Sequence, residues 1–556
     1  MITHVQHISS RCGSGKSYHT IRHLLDRLCT QYPAVSTVIL GSKTTDLNAQ
    51  NYLEFGKAKE ASSHTKRFLV SSIRIDSDTH PGSVTKTVTK TLTEGFGGVI
   101  FTSHAVLANL SSDVLKGVEL ILDEIPNSLV TTLSVQYEAS DQGNDWESNV
   151  LTRPSNYPGY EEAYLHPKAD VAAIRRVISN IKSNRDNSRT KPVADLLAFL
   201  LADYDTLYVS EIKGQRTFRC FQAVQWLAIK QIAEQVASIT ILCAQLKGSL
   251  FGFVLQYCLR LQINETHQIG SVTLSTKHPH TVLIHPFLKK GRWSNKLKQQ
   301  MAAETLCFDD GQPLPQIRSV VEYAQLASDA IMFEGRVMNG QHKHDQHYIA
   351  VLNRKDPVLS KIERNGVKII STVSHGMNHL STYDHAVYLA SNIPNPQELK
   401  HLKLFAQDHG ATPESIETAI MIERCYEAAY QCIARTSIRS EAPKPGMCHY
   451  IVVPDKEYAE YLYQWFEPTV ANIVTDSSFI TQHLDQQEVK KKEILETTIQ
   501  ILRERHQQRT TYAKLAKQYK MSLSTLDRCK RENRDLLEEM GLLKPKRKKA
   551  EPILDL

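Results

Sequence analysis

The sequence predicts an α/β protein built around a parallel β-sheet. Near the N-terminus, a loop rich in glycine and serine, SSRCGSGKSYHT, precedes a segment with helical periodicity. Farther along the chain, the run VELILDEIP is apolar except for Glu119 until it ends in two carboxylates. A strand that is apolar on both of its faces is typical of the buried centre of a parallel sheet. The 556 residues exceed what one hydrophobic core supports, so about two to four domains are expected.

Composition excludes several classes of protein. The longest apolar stretch, residues 238–261, contains Lys247 and Arg260, so the sequence predicts no membrane-spanning segment. The N-terminal residues lack the basic-then-apolar pattern of a signal peptide. The ten cysteines include no Cys-x-x-Cys pair, which argues against a structural zinc site or a disulfide framework and for a reducing compartment. We therefore expect a cytoplasmic protein without a membrane partner.

Positive charge is concentrated near the C-terminus. Residues 488–550 contain 18 Lys and Arg against 9 Asp and Glu, whereas the whole chain carries a formal net charge of +7. The remainder of the chain is therefore close to neutral. A basic region at one end indicates either a polyanionic partner or a solvated helical tail, and charge alone does not decide between them.

The N-terminal loop has the residue types that bind nucleotide phosphates. Glycines let backbone amides converge on phosphate oxygens, a lysine reaches the terminal phosphates, and a hydroxyl binds magnesium at the start of a helix. These parts are supplied by Gly13, Ser14, Gly15, Lys16 and Ser17. Ser10 occupies the position of the first glycine in the full Gly-x-x-x-x-Gly-Lys-Ser pattern. A chance run of small residues is the alternative, because so short a motif also recurs by chance.

The apolar run ends where the sheet of an α/β protein places its ligands. Asp123 and Glu124 close the run, and α/β sheets bind ligands outside the carboxyl ends of their strands. There Asp123 can hold Mg²⁺, and Glu124 can polarise the water that attacks a phosphate. The alternative is a strand that simply ends in an acidic turn. Combined with the upstream loop, the two carboxylates favour ATP and Mg²⁺ as cofactors.

These motifs resemble those of superfamily 2 helicases, the DEAD/DEAH-like group. SRCGSGKS resembles motif I in the form where a small residue replaces the first glycine, and LILDEIP resembles motif II. The resemblance extends from residue 1 to about residue 470. It implies two RecA-like domains, residues 1–265 and 266–475, which hold ATP in the cleft between them.

Two further segments of the first domain depart from the family pattern. ILCAQLKGSLF resembles motif III, but Cys243, Ala244 and Gln245 stand where the family has Ser-Ala-Thr. The distance from motif II to motif III is long, so residues 138–217 are interpreted as an insertion. The sequence does not indicate what the insertion does.

Loops after three other strands resemble the motifs with which the family binds nucleic acid. VILGSKTTDLNAQ, GGVIFTSHAVLANL and VKIISTVSHGMNHLSTYDHAVYLAS resemble motifs Ia, Ib and V. Hydroxyls and loop amides suit contacts to phosphates, which position a strand without reading its sequence. The resemblance assigns contacts with single-stranded DNA to Ser42, Lys43, Thr44, Thr102, Ser103, His104, Thr372, Gly376 and Asn378.

AAYQCIARTSIRS resembles motif VI, whose family pattern is Gln-x-x-Gly-Arg-x-x-Arg. Here the pattern reads Gln431, Ala434, Arg435 and Arg439, with alanine in place of glycine and the last arginine one position late. On a continuous helix the two arginines would share a face at i and i+4. We expect Gln431, Arg435 and Arg439 to reach the γ-phosphate of ATP held by the other domain, so that domain closure completes the catalytic site.

In the C-terminal region, residues 476–556, the sequence predicts a small all-α domain. A long helix over 486–507 is expected to join this domain to the core. TYAKLAKQYKMSLSTLDRCKR resembles a helix-turn-helix, with Ala516, Met521 and Leu526 on its inner side. Its second helix and the tail KPKRKK suit duplex DNA. The residues offered to DNA are Ser524, Thr525, Arg528 and Arg531. The alternative is a helical domain packed on the core with a solvated basic surface.

Three functions remain open from the sequence. The first is an ATP-dependent DNA helicase or translocase. The second is a translocating or packaging motor that does not separate strands, and the third is a DNA-binding regulator switched by ATP. The presence of Lys16 and Glu124 counts against the regulator. The compact motifs, the unusual motif III and the appended module suggest a phage or mobile-element origin, hence a bacterial or phage-infected cell.

Overall fold

A computed structural model of the chain describes residues 2–31, 36–138, 148–183, 191–202, 205–213, 217–288, 291–294, 348–353, 367–372, 378–474, 486–508 and 510–543. Gly376 and the basic tail at 544–549 lie outside these ranges, and so do parts of the predicted insertion. The described strands are β1 (His4–Ser9), β2 (Thr37–Ser42), β3 (Ser71–Arg74), β4 (Gly98–Ser103), β5 (Glu119–Asp123), β6 (Thr131–Glu138), β7 (Val150–Pro154), β8 (Tyr160–Leu165), β9 (Leu207–Lys213), β10 (Thr217–Gln225), β11 (Ser238–Cys243), β12 (Gln262–Thr266), β13 (Gln268–Ile269), β14 (Val272–Thr273), β15 (Thr281–Pro286), β16 (Tyr348–Val351), β17 (Val367–Ile370), β18 (His385–Tyr388), β19 (Cys448–Val453) and β20 (Ala471–Ile473).

The described α-helices are α1 (Lys16–Gln31), α2 (Thr45–Ala61), α3 (Val84–Thr93), α4 (His104–Leu107), α5 (Val171–Ser183), α6 (Lys191–Ala202), α7 (Leu227–Gln235), α8 (Leu250–Phe253), α9 (Pro396–Asp408), α10 (Pro413–Met421), α11 (Glu427–Ile433), α12 (Lys456–Tyr463), α13 (Gln486–Gln508), α14 (Tyr512–Gln518), α15 (Leu523–Glu532) and α16 (Arg534–Glu539). A π-helical turn, Ile422–Tyr426, joins α10 to α11. None of the described helices is long and apolar enough to cross a membrane.

Strands β1–β5, β11 and β12 form one parallel sheet in the order β12-β1-β11-β5-β2-β4-β3. Strand β5 is buried on both faces, since Leu120 and Leu122 belong to one apolar core and Ile121 belongs to the other. This arrangement explains its apolar sequence and confirms the predicted α/β class. The loops that follow β1, β5 and β11 emerge side by side at the carboxyl edge of the sheet.

Strands β15–β20 form a second parallel sheet in the order β17-β16-β18-β19-β15-β20. Its apolar core combines side chains from five strands with the inner face of α11. The strand residues in this core are Val282, Ile284, Ile349, Val351, Ile370, Ala386, Tyr388, Ile451 and Val453. The segment carrying the two candidate arginines follows α11, so this sheet positions it.

A five-stranded antiparallel sheet is inserted between β5 and α7, in the order β6-β10-β9-β8-β7. In the antiparallel pairing of β6 with β10, Thr131 lies opposite Gln225 and Glu138 lies opposite Phe218. The inserted unit is therefore wider than the predicted range 138–217. Helices α5 and α6 pack against one face of this sheet, where Ile174, Leu196 and Phe221 share an apolar core.

Helices α9 and α10, although they follow the second sheet's strands β15–β18 in the chain, pack onto the first sheet. Leu402, Phe405 and Ile416 lie in the same apolar core as Val5 of β1. Fully burying a side chain of this size contributes about 1.5–3 kcal/mol. Met421, at the end of α10, already lies in the core of the second sheet. The boundary between the two cores therefore falls beside the π-helical turn.

The C-terminal helices form a small separate core. Ile501 of α13 packs with Leu515, Ala516 and Leu526 of the two following helices. The side chain of Ser522 accepts a hydrogen bond from the backbone of the residue three positions later, which caps α15.

Candidate active site

The glycine- and serine-rich loop connects β1 directly to the N-terminus of α1. Gly13 and Gly15 have φ angles of +80° and +78°, a backbone region that favours glycine, so the loop depends on both. Lys16 is the first residue of α1, and its Nζ donates to the carbonyls of Ser10 (2.8 Å) and Arg11 (3.1 Å). The helix dipole and the backbone amides at this end of α1 would suit an anion.

Asp123, the last residue of β5, faces this loop. The hydroxyl of Ser17 lies 2.9 Å from both carboxylate oxygens of Asp123. The amide nitrogen of Asn51 donates to Asp123 Oδ2 at 2.8 Å and to Ser42 Oγ at 3.1 Å. The hydroxyl and carboxylate would together hold Mg²⁺, which takes oxygen ligands and commonly uses one or two carboxylates plus substrate phosphates.

Electrostatics also suit a cation at this point. Burial, and next the neighbouring carboxylate of Glu124, raises the pKa of Asp123 to about 6. A bound divalent cation would relieve both effects, so the side chains present fit Mg²⁺. The backbone of Glu124 has a φ of +73°, which is uncommon for a residue with a side chain, and its N–H donates to the carbonyl of Leu242 at 2.9 Å. Such strained backbone positions cluster at functional sites.

The second sheet supplies two arginines to the same place. Arg435 Nη2 lies 3.3 Å from Glu124 Oε1. Arg439 packs against the loop so closely that a methyl group placed on Gly13 would lie 2.6 Å from both its Cγ and its carbonyl oxygen. The expected continuous helix is wrong: α11 ends at Ile433, and Arg439 ends a 3-10 turn. The two arginines converge because the chain turns between them.

Gln431 does not point freely into the cleft. Its side-chain nitrogen donates to Glu427 Oε1 at 3.1 Å, and Tyr461 donates to Glu427 Oε2 at 2.8 Å. Burial raises the pKa of Glu427. Glu427 is thus a second buried carboxyl at the cleft, which the sequence motifs did not indicate.

The loops after β2 and β4 lie at the carboxyl edge of the first sheet, but several predicted DNA contacts are used internally. Ser42, Thr102 and His104 are buried, and Thr102 donates to the backbone carbonyl of residue 75. His104 Nε2 lies 3.0 Å from the carbonyl of residue 41. These three side chains are therefore not accessible to DNA in this structure, whereas the sequence predicted contacts with DNA for them. The hydroxyl of Thr44 caps α2, whereas Lys43 and Ser103 are partly exposed.

The corresponding loop of the second sheet is described only in part. Thr372 is partly exposed, and its carbonyl lies 3.5 Å from the sulfur of Cys432. Asn378 begins a 3-10 turn. Gly376 lies outside the described residues. The arrangement of this predicted loop therefore stays a prediction.

The motif III segment forms the end of β11 and the turn that follows. Cys243 is buried, and the carbonyl of Ala244 accepts a hydrogen bond of 2.9 Å from the hydroxyl of Ser9 in β1. The side chain of Gln245 donates to the backbone of Lys247. The segment is therefore tied to the strand that carries the phosphate loop.

The outer face of α15 carries the residues predicted to meet duplex DNA. Ser524, Arg528 and Arg531 are exposed, and Thr525 is half-buried. Arg528 lies 4.0 Å from Glu532 in an exposed pair, which is weak. Both arginines therefore remain accessible to a polyanion.

Three residues of the site were missed from the sequence: Asn51, Tyr430 and His278. Asn51 reaches Asp123 from α2, and the hydroxyl of Tyr430 accepts a hydrogen bond from the backbone of Cys12. Tyr430 stands directly before Gln431 in the motif VI segment but is not a position of the family pattern, and packing between distant elements brings all three residues to the loop.

The fold and the site define an α/β protein with two parallel sheets, an inserted antiparallel sheet, and a candidate active site to which both parallel sheets contribute side chains. No protein-family model matches the sequence, and no curated protein matches it. A solved structure named XPD_APO is similar with a TM-score of 0.46 and 12% identity, over 85% of this chain and 97% of that chain. The DEAD-box helicase Mss116 bound to ssRNA and UDP-BeF has a TM-score of 0.34 and 10% identity, over 98% of this chain and 88% of that chain. Dbp5 of S. cerevisiae, bound to RNA and ADP BeF3, has a TM-score of 0.34 and 10% identity, over 88% of each chain. At these TM-scores the similarity assigns no activity to this chain.

Proposed function

We propose that the protein is an ATP-dependent DNA helicase or translocase that hydrolyses ATP between its two parallel sheets. The contact of Arg435 with Glu124 carries this proposal, because it joins a candidate catalytic carboxylate of one sheet to an arginine from the other. An ATP-binding protein that merely stored nucleotide would not need groups from both sheets. A motor that moves by domain closure does need them.

Each group has a defined task in this reaction. Lys16 and the amides at the start of α1 bind the β- and γ-phosphates. Ser17 and Asp123 hold Mg²⁺, which neutralises phosphate charge when it is bound. Glu124 orients the attacking water, while Arg435 and Arg439 stabilise the negative charge that develops in the transition state. Because the arginines belong to the second sheet, hydrolysis depends on closure of the cleft.

Single-stranded DNA is proposed to cross the carboxyl edges of both sheets. In the first sheet, the partly exposed Lys43 and Ser103 and the backbone amides of their loops are suited to phosphate contacts. The loop around Thr372 is the proposed counterpart in the second sheet. Opening and closing of the cleft would change the separation of these loops and step the strand along.

The C-terminal helices are proposed to grip duplex DNA as a helix-turn-helix. Exposed Arg528 and Arg531 on α15, together with the concentration of basic residues in 488–550, support a polyanionic partner. A contact with phosphates gives affinity for duplex DNA without dependence on its sequence.

The first test is ATP hydrolysis without nucleic acid and with single-stranded DNA, duplex DNA or a forked duplex. Strand release from the fork is followed in parallel, on the wild type and on Lys16→Ala. We expect stimulation by DNA and unwinding of the fork, both lost in Lys16→Ala. The variant Lys116→Ala, which removes an exposed lysine far from the loop in sequence, serves as the charge-matched control.

Other results would redirect the proposal. Hydrolysis stimulated by duplex without strand release would indicate a duplex translocase or packaging-type motor. Slow hydrolysis that is indifferent to every nucleic acid would exclude both motors and leave an ATP-switched DNA-binding regulator. Equal stimulation by RNA strands would remove the preference for DNA.

A further inference from the structure

A buried tyrosine of the second sheet touches the phosphate loop. The hydroxyl of Tyr430, in α11, accepts a hydrogen bond of 2.8 Å from the backbone N–H of Cys12. Tyr430 is fully buried, and its ring stacks on Trp465 with centroids 4.7 Å apart. Stacking accounts for the ring of Tyr430, but it does not account for the direction of the hydroxyl toward the other sheet.

His278 continues this contact. Its Nε2 lies 3.0 Å from the hydroxyl of Tyr430, and its Nδ1 lies 3.0 Å from the backbone carbonyl of Ile438. Two groups contact Nδ1: the carbonyl of Ile438, which can only accept, and at 3.4 Å the guanidinium of Arg11, which can only donate. The shorter contact to the carbonyl assigns the proton to Nδ1, so Nε2 accepts from Tyr430. Burial, and next the guanidinium of Arg11, lowers the pKa of His278 well below its ordinary value. The ring is therefore neutral, as this pattern of hydrogen bonds requires.

The hydrogen bonds form one directed chain between two parts of the active site. The chain runs from the Cys12 N–H through Tyr430 and His278 to the carbonyl of Ile438. Ile438 immediately precedes Arg439, the arginine that packs against Gly13. A change in the phosphate loop is thus connected, through buried groups only, to the turn that carries an arginine.

We propose that Tyr430 and His278 are positioning residues that relay nucleotide occupancy of the phosphate loop to the Arg439 turn. This inference rests on the proposed ATP hydrolysis. Nucleotide binding repositions the amide of Cys12, the hydroxyl of Tyr430 follows it, and His278 moves the carbonyl of Ile438. Phosphates in the loop thereby adjust the turn of Arg439, which already packs against Gly13.

The variant Tyr430→Phe tests the relay, because it removes one oxygen atom and keeps the ring and its stacking. We expect the DNA-stimulated kcat to fall about ten-fold, which corresponds to one hydrogen bond lost, while the KM for ATP stays within about two-fold. His278→Gln is expected to have a similar effect. The double variant should be no worse than either single variant, because both interrupt the same chain.

The control is Tyr157→Phe, whose hydroxyl donates to Asp408 Oδ1 at 2.9 Å and lies outside the candidate site. It should retain the wild-type kcat, although it too removes a hydrogen-bonded tyrosine hydroxyl. Thermal unfolding of all variants separates loss of activity from loss of folding. An unchanged kcat in Tyr430→Phe, or a loss of thermal stability without any change in kcat, would overturn the relay.

A second measurement distinguishes failure of the relay from failure of the proposed function. The emission of Trp465, isolated by comparison with Trp465→Phe, is followed while ATP and Mg²⁺ are added. The relay predicts a change in the wild type that is lost in Tyr430→Phe. If the wild type hydrolyses no ATP with any DNA, but ATP still changes its Trp465 emission and Tyr430→Phe still removes that change, the motor is wrong and the relay stands. If hydrolysis is normal and ATP alters the emission equally in both proteins, the relay is wrong and the motor stands.

Discussion

Arg435 and Glu124 form an ion pair between the two parallel sheets, with 3.3 Å between Nη2 and Oε1. The side chains are only 10% and 17% exposed. An ion pair so shielded from water is stronger than a surface pair, but removing one partner leaves the other charge buried. In the proposed reaction the arginine exchanges this carboxylate for the γ-phosphate. The ion pair therefore keeps Arg435 in place before ATP arrives.

Arg435→Ala is expected to lower kcat for ATP hydrolysis by about 10³-fold, the typical contribution of an arginine that stabilises phosphoryl transfer. The KM for ATP should change much less, because the arginine acts mainly on charge in the transition state. Steady-state kinetics with DNA present measures both. Arg292→Ala is the control, since Arg292 pairs with Glu417 and Glu457 and has no part in the proposed chemistry. A wild-type kcat in Arg435→Ala would remove this residue from the site.

Gly13→Ala is expected to abolish hydrolysis by holding the two sheets apart. The new methyl group would meet the Cγ and carbonyl oxygen of Arg439 at 2.6 Å, and the residue would keep a φ of +80°. Gly82→Ala provides a matched control, because Gly82 has a φ of +76° and open space around it. Both variants should lose about 1–2 kcal/mol of stability from backbone strain, measured by urea unfolding. Only Gly13→Ala should lose activity, and equal activity in the two variants would argue against this closure.

Asp123→Asn is expected to change how stability depends on pH. The pKa of Asp123 is raised to about 6, so its stabilising contribution is present below the unfolded pKa near 3.8 and is lost as pH rises through about 6. Without Mg²⁺, the variant should therefore gain stability relative to the wild type at pH 7.5 but not at pH 4, by about 1–3 kcal/mol. Chemical unfolding at the two pH values measures this. Mg²⁺ with nucleotide should stabilise the wild type more than the variant, and the same response in both would contradict the proposed metal site.

Arg528→Ala and Arg531→Ala are each expected to weaken binding to duplex DNA and to leave ATP hydrolysis without DNA unchanged. Each variant should reduce the steepness of the plot of log affinity against log salt by about 0.9, because one phosphate contact is lost. Fluorescence anisotropy with a labelled duplex at several salt concentrations measures this slope. Lys116→Ala should leave the slope unchanged. Full duplex affinity in both arginine variants would favour the alternative of a solvated helical surface.

Local patterns predict the shape of the glycine-rich loop and the buried strand that ends in Asp123, because both depend on neighbouring residues. Gly13, Gly15 and Lys16 fix a backbone shape within a few positions, and an apolar strand such as β5 must be buried on both faces. The turn after α11 shows the limit of this reasoning. The i and i+4 spacing of the two arginines suggested one helix face, but helix α11 ends before Arg435.

Residues that tertiary packing brings together could not be found in this way. Asn51 lies in α2 and acts on a carboxylate in another strand, and His278 acts on Tyr430 across a long separation in the chain. Conversely, Thr102 was assigned to DNA from its motif, but its hydroxyl satisfies a backbone carbonyl inside the sheet. A polar residue in a loop motif has two possible uses, and only the packing around it decides between them.

The π-helical turn Ile422–Tyr426 has a mechanical consequence for any closure of the cleft. Glu423 accepts a hydrogen bond from the backbone N–H of Phe251, which lies in α8 between β11 and β12 of the first sheet. Arg424 donates to the hydroxyl of Thr132 in the inserted sheet. The turn then continues directly into the core of the second sheet. In the proposed closure, a movement of the second sheet would therefore reach both the first sheet and the inserted sheet through this turn.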